Sequence, residues 1–146
     1  MEKKKKLDFN LVYNKGKHKI TIIFNKNIKN CKLFSFCNNI IEIKFINVNT
    51  KDISDMSLMF HNCTKLINLN LSNFNTENVN NMMAMFNNCT KLTNLNLRNF
   101  NTDNIKNMSY MFYNCNNLFN LDIINFRRSR IWNCFCGYCK SISYLN

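Results

Sequence analysis

Met56, Met59, Phe60, Cys63, Leu66, Leu69, Leu71 and Phe74 come back 26 residues later as Met82, Met85, Phe86, Cys89, Leu92, Leu95, Leu97 and Phe100. They come back once more as Met108, Met111, Phe112, Cys115, Leu118, Leu121, Ile123 and Phe126. A fixed period of this length means units that can each bury an apolar face only against a neighbouring unit. A weaker copy precedes them, with Phe34, Cys37, Ile40, Ile43, Phe45 and Thr50 in the slots of Phe60, Cys63, Leu66, Leu69, Leu71 and Thr76. After Phe126 the register slips: Phe135, Cys139, Ile142 and Leu145 align with Met111, Cys115, Leu118 and Leu121 only at an offset of 24. The expected organisation is therefore a basic leader over 1–6, a hairpin cap over 7–33, repeats over 34–126 and an eroded last repeat over 127–146. The repeat units fall near 34–59, 60–85, 86–111 and 112–126.

Two periods alternate inside a unit. Leu95 and Leu97 flank a polar residue, the pattern of a short strand with one buried face. Thr50, Thr76 and Thr102 stand three residues before Ile53, Val79 and Ile105, and the apolar stripe continues through Met56, Met82 and Met108 to Phe60, Phe86 and Phe112. That spacing predicts a short helix with a threonine N-cap in every unit. Upstream, alternation over 7–13 and 18–24 around Asn14-Lys15-Gly16-Lys17 predicts a β-hairpin that covers the end of the stack. With two Gly and no Pro in the chain, the turns fall to Asn, roughly a fifth of the residues, which tolerates the left-handed region and bonds its own backbone.

The net charge of +12 is unevenly placed. Residues 1–51 carry 12 Lys against Glu2, Asp8 and Glu42, while residues 52–126 have 4 basic and 5 acidic side chains. The repeats are thus nearly neutral, and the charge belongs to Lys3–Lys6, the hairpin and the last 20 residues. A nucleic-acid interface would place basic side chains and aromatics together on a folded face. Neither a secretory-type apolar run near the N-terminus nor a stretch long enough to cross a membrane is apparent, so the expected compartment is the cytoplasm.

The recurrent pattern Asn-x-x-Met-x-x-Met-Phe-x-x-Cys-x-x-Leu-x-x-Leu-x-Leu-x-x-Phe-x-Thr resembles the BspA-like leucine-rich repeat, whose Leu-x-x-Leu-x-Leu core is common to leucine-rich repeats at large. The resemblance is specific over 53–126 and weaker over 34–52. It implies an α/β leucine-rich-repeat solenoid of short parallel strands and short helices, with a role in binding rather than catalysis. It also implies a cell-surface location, which the absence of an export signal opposes.

Cys37, Cys63, Cys89 and Cys115 share one slot, which marks them as a ladder of small buried thiols. Cys134, Cys136 and Cys139 have the spacing of three corners of a zinc tetrahedron. No fourth ligand stands near them and Cys139 aligns with the ladder, so an eroded repeat is the preferred account and no metal or other cofactor is expected. The methionine stripe reads as core. No nucleophile–base set and no recurrent carboxylate pair is present, so an enzyme is not expected.

The positions between the buried leucines form three outward columns: Glu42, Asn68, Asn94 and Asn120; Lys44, Asn70, Asn96 and Asp122; and Ile46, Ser72, Arg98 and Ile124. Aligned amides can offer donors and acceptors to a peptide or a glycan, or they can merely solvate the sheet. The candidate binding residues are therefore Asn68, Asn70, Ser72, Asn94, Asn96, Arg98, Asn120 and Asp122, with Arg98 as the leading contact. The expected function is a noncatalytic protein-interaction or adhesion-type module. The competing expectations are attachment of the Lys-rich flank to nucleic acid or an anionic membrane, and a truncated relic of a longer array.

Overall fold

The computed structural model describes residues 9–14, 18–24 and 32–126. Strand β1 (Phe9–Asn14) pairs antiparallel with β2 (Lys19–Phe24) in a register running from Phe9↔Phe24 to Asn14↔Lys19. Ile20 and Ile22 of β2 face the core, as period-two alternation demands. β2 then runs parallel to β3 (Glu42–Ile46), from Lys19↔Glu42 to Ile23↔Ile46, which seats the hairpin on the first unit. β3 meets β4 (Asn68–Leu69) at only two pairs, Glu42↔Asn68 and Ile43↔Leu69. β5 (Asn94–Asn96) and β6 (Asn120–Asp122) form a second parallel sheet, again at an offset of 26 residues.

The expectation of an α/β leucine-rich-repeat solenoid is overturned here. Among the described residues there is no α-helix; a single 3₁₀ turn at Lys32–Phe34 and six short strands in two small sheets are the regular elements. The segments expected to be helical are runs of tight turns, in which His61 N–H donates to the Leu58 carbonyl (3.1 Å), Cys63 to Phe60 (3.2 Å) and Leu66 to Cys63 (3.1 Å). Leu58, Ala84 and Tyr110 have φ of 59°, 53° and 59°, and Asn62, Asn88 and Asn114 have φ of 59°, 62° and 59°. Two left-handed residues four positions apart in each unit cannot belong to a right-handed helix.

The backbone donors give the physical reason. A helix directs its N–H groups into its own chain, whereas here alternate ones cross to the next unit. Met56, Leu58, Phe60 and Asn62 donate to the carbonyls of Asn81, Met83, Met85 and Asn87 at 2.8, 3.0, 2.8 and 2.8 Å. Met82, Ala84, Phe86 and Asn88 repeat the pattern on Asn107, Ser109, Met111 and Tyr113. Successive three-residue turns still bring Ile53, Met56, Met59, Phe60, Cys63 and Leu66 to one side, where all are buried. The apolar spacing was therefore compatible with either backbone, and the inter-unit bonds select the turns.

The threonines are corrected with the helices. Thr50 Oγ1 donates to the carbonyl of Asn75 (2.7 Å) and accepts the N–H of the same residue (2.7 Å). Thr76 does the same to Asn101, at 3.1 and 2.8 Å. They are buried clasps between units, not N-caps.

Identical residues stack on one another throughout the core. Phe34, Phe60, Phe86 and Phe112 form a column with ring centroids 5.7, 5.6 and 5.6 Å apart and nearly parallel planes. The thiols of Cys63, Cys89 and Cys115 donate to the carbonyls of Phe34, Phe60 and Phe86 at 3.0, 3.1 and 3.1 Å, satisfying groups that would be costly to bury unpaired. Asparagine amides add further staples. Asn114 Nδ2 donates to Asn88 Oδ1 (2.6 Å), Asn88 to Asn62, Asn104 to the Glu77 carbonyl (2.7 Å) and Asn78 to that of Lys51 (2.9 Å).

Candidate functional site

Of the three columns, Glu42, Lys44, Ile46, Asn68, Asn94, Asn96, Asn120 and Asp122 lie in strands, and Asn70, Ser72, Arg98 and Ile124 follow the strand ends. Asn68, Asn70, Ser72, Asn94, Asn96, Arg98 and Asn120 are exposed and Asp122 is half-buried. The strand ladders bring Asn68 beside Glu42, Asn94 beside Asn120 and Asn96 beside Asp122, but β4 and β5 belong to different sheets, so Asn68 and Asn94 are not ladder partners. At that seam Asn99 Nδ2 donates to the carbonyls of Leu71, Ser72 and Phe74 at 3.2, 3.2 and 2.9 Å.

The second column is not an amide ladder. Asn70 Oδ1 accepts the N–H of Ser72 (2.9 Å), Asn96 Oδ1 that of Arg98 (3.0 Å) and Asp122 Oδ1 that of Ile124 (3.3 Å). Each closes the turn that ends its strand, and the Nδ2 groups of Asn70 and Asn96 make no hydrogen bond among the described residues. Arg98 is engaged as well: its Nε and Nη2 lie 3.0 and 2.9 Å from Asp122 Oδ2. Cys134, Cys136 and Cys139 lie outside the described residues, as do Lys3–Lys6. Among the described residues no group of three His, Cys, Asp or Glu side chains is arranged to hold a metal.

At the first seam the face is cationic. Glu42 is shared by Lys19 Nζ at 2.5 Å and Lys44 Nζ at 3.5 Å, so the trio keeps one positive charge. The Lys19 contact is the main reason the Glu42 carboxyl titrates below the usual carboxylate range. Beside it, Lys44, Phe45, Ile46, Asn70, Asn73 and Phe74 line a pocket of ≈ 190 Å³. The pocket exists because the β3–β4 ladder stops at Ile43↔Leu69, so Lys44 to Ile46 pair only with β2. Phe45 and Phe74 meet edge-to-face in its lining, 5.0 Å apart. Sequence reasoning placed Lys44 and Ile46 in the outward columns but missed Asn73 and the two phenylalanines, since nothing distinguishes Asn73 from its copies Asn99 and Asn125.

Two other polar sites are less accessible. His61, whose slot holds Asn87 and Tyr113 in the next units, has a buried Nδ1 with no hydrogen-bond partner, packs edge-on against Phe36 and titrates below its ordinary range through burial. In the thiol column only Cys37 is half-exposed, and a hydrogen bond with Cys63 lowers its pKa to about 7. The same contact, with burial, pushes Cys63 up, and burial pushes Cys89 up to about 12. In the native protein Cys37 should therefore take iodoacetamide well before Cys63, Cys89 or Cys115. Its rate should climb as the pH rises through about 7 and the thiolate forms, which peptide mass mapping at several pH values would read.

The fold and face together define a repeat protein of stacked turn-and-strand units presenting one outward strand surface. The chain belongs to the family described as "Mycoplasma protein of unknown function, DUF285", whose model matches residues 24–136. This replaces the BspA-like leucine-rich-repeat assignment drawn from the motif. The Leu-x-x-Leu-x-Leu spacing records only which side chains of a unit are buried before and within its strand, and the turn-built units here satisfy it without a helix. Neither the curated proteins nor the solved structures contain a match. No helix among the described residues is long and apolar enough to cross a membrane.

Proposed function

We propose that this chain is a noncatalytic recognition module that binds a segment of a partner protein along the strand face. The observation that carries the reading is a contrast between the core slots and one exposed column. Core slots repeat in kind from unit to unit, as in Phe60, Phe86 and Phe112, whereas the exposed column Ile46, Ser72, Arg98 and Ile124 changes at every step. Ile46 and Ile124 are 44% and 72% exposed, so large apolar side chains flank the polar centre of the face. Apolar side chains beside oriented amides on a backbone held by inter-unit bonds suit recognition of a peptide segment.

Capture from a native-source lysate tests this. A partner should be retained in roughly 0.5 M salt, where exposed charge attraction is largely screened, and be lost from the variants Asn96→Arg and Arg98→Glu. Retention by both variants, or capture abolished only by deleting residues 1–6, would replace the face with the Lys-rich flank.

A further inference from the structure

The pocket at the first seam is a departure from the rule that closes the other seams. Asn99 and Asn125 reach back to carbonyls of the preceding unit, Asn99 to Leu71, Ser72 and Phe74, and Asn125 to Arg98. Asn73 is their equivalent one unit earlier, and among the described residues its side chain makes no hydrogen bond. The backbone it would reach belongs to the first unit and differs in conformation from the later ones. The first unit leaves β3 through Asn47 in the left-handed region (φ 54°), while the aligned Asn73, Asn99 and Asn125 do not adopt it.

The result is a cavity with a defined chemistry. Phe45, Phe74 and Ile46 provide apolar walls, Asn73 and the free Nδ2 of Asn70 provide neutral donors, and Lys44 stands at the rim, 66% exposed. Lys44 is the weaker partner of Glu42, at 3.5 Å against 2.5 Å for Lys19, and so is free to exchange. A volume of ≈ 190 Å³ is below the ~300–1,000 Å³ of ordinary small-molecule sites, and it matches one or two side chains.

We propose that this pocket is the specificity subsite of the recognition face, taking a glutamate or aspartate side chain with an adjacent apolar residue from an acidic segment of a partner protein. The carboxylate would accept from Lys44 Nζ and the amides of Asn70 and Asn73, while the apolar neighbour packs on Ile46 and Phe74. The assignment rests on the strand-face reading but adds the chemistry of the ligand. The complement follows from the charge: the Lys19–Glu42–Lys44 trio carries a net positive charge, and amide donors assist a carboxylate more strongly than a neutral acceptor.

The test is an NMR titration of the full ¹⁵N-labelled chain with two blocked peptides, acetyl-Ser-Leu-Glu-Leu-Ser-amide and its Gln counterpart. The Glu peptide should shift the side-chain amides of Asn70 and Asn73 and the backbone amides of Lys44 and Phe45. Binding should be about tenfold weaker for the Gln peptide, and about tenfold weaker for the Glu peptide on Lys44→Gln, a substitution at an exposed site. Asn73→Leu should abolish the discrimination. Equal response to both peptides, shifts confined to other positions or no response at all would overturn the subsite. If Lys44→Gln also keeps salt-resistant partner capture, the subsite falls and the face reading stands; if capture itself disappears at high salt in the unmodified chain, the face reading falls.

Discussion

Phe86→Ala should lower the unfolding free energy by about 3–5 kcal/mol, the range for truncating a large aromatic in a packed core. Phe86 is fully buried between Phe60 and Phe112, with centroids 5.6 Å away on both sides. Deleting the ring leaves a gap in the middle of the column, and neighbours held by inter-unit backbone bonds can collapse into it only in part. A loss of this size is a large fraction of the roughly 5–15 kcal/mol that ordinary domains possess. Urea unfolding followed by tryptophan-independent far-ultraviolet dichroism would read it as a fall in midpoint. A double-mutant cycle with Phe60→Leu should return about 0.5–1.5 kcal/mol of coupling for the ring pair. A loss under about 1 kcal/mol for Phe86→Ala would mean that the column does not hold the units together.

Thr76→Val should cost about 1–3 kcal/mol, a large effect for a nearly isosteric change. The valine fills the same space but withdraws the hydroxyl that both donates to and accepts from the backbone of Asn101, at 3.1 and 2.8 Å. Thr76 is 2% exposed, so water cannot easily replace the lost partner. Thr76→Ser keeps the hydroxyl and should cost less than the valine, and equilibrium unfolding at an unchanged denaturant slope is the measurement. Were threonine only an N-cap, as the spacing alone had predicted, the bonds would lie inside one unit and the substitution would leave Asn101 amide exchange untouched. Here that amide should lose protection.

How much could be read beforehand is clearest in the Met-x-x-Met-Phe-x-x-Cys segments. Their burial was legible residue by residue, because identical apolar slots recurring at a fixed period have to stack. Their backbone was not, since turns of three residues and a helix of 3.6 residues place nearly the same side chains inward over so short a run. Only the left-handed φ at Ala84 and Asn88, and the export of alternate N–H groups to the next unit, separate the two. The asparagines follow the same division. Their number foretold turn chemistry: Asn70 and Asn96 cap turns through N–H groups two residues on, whereas the stapling of units by Asn99 and Asn104 depends on carbonyls supplied from the preceding unit.

The sequence by itself determined the period, the buried slots and the polar positions between them, because each follows from which residues repeat and which alternate. The tertiary structure alone decided the turn-built backbone, the Arg98–Asp122 pairing and the open first seam. The reason is that a repeat specifies its own burial locally, whereas the alternate backbone donors of the turns and the stapling asparagine amides bond to carbonyls of the neighbouring unit. At the first seam the left-handed Asn47 has no counterpart in the later units, and there Asn73 lacks the carbonyl bonds that Asn99 and Asn125 make.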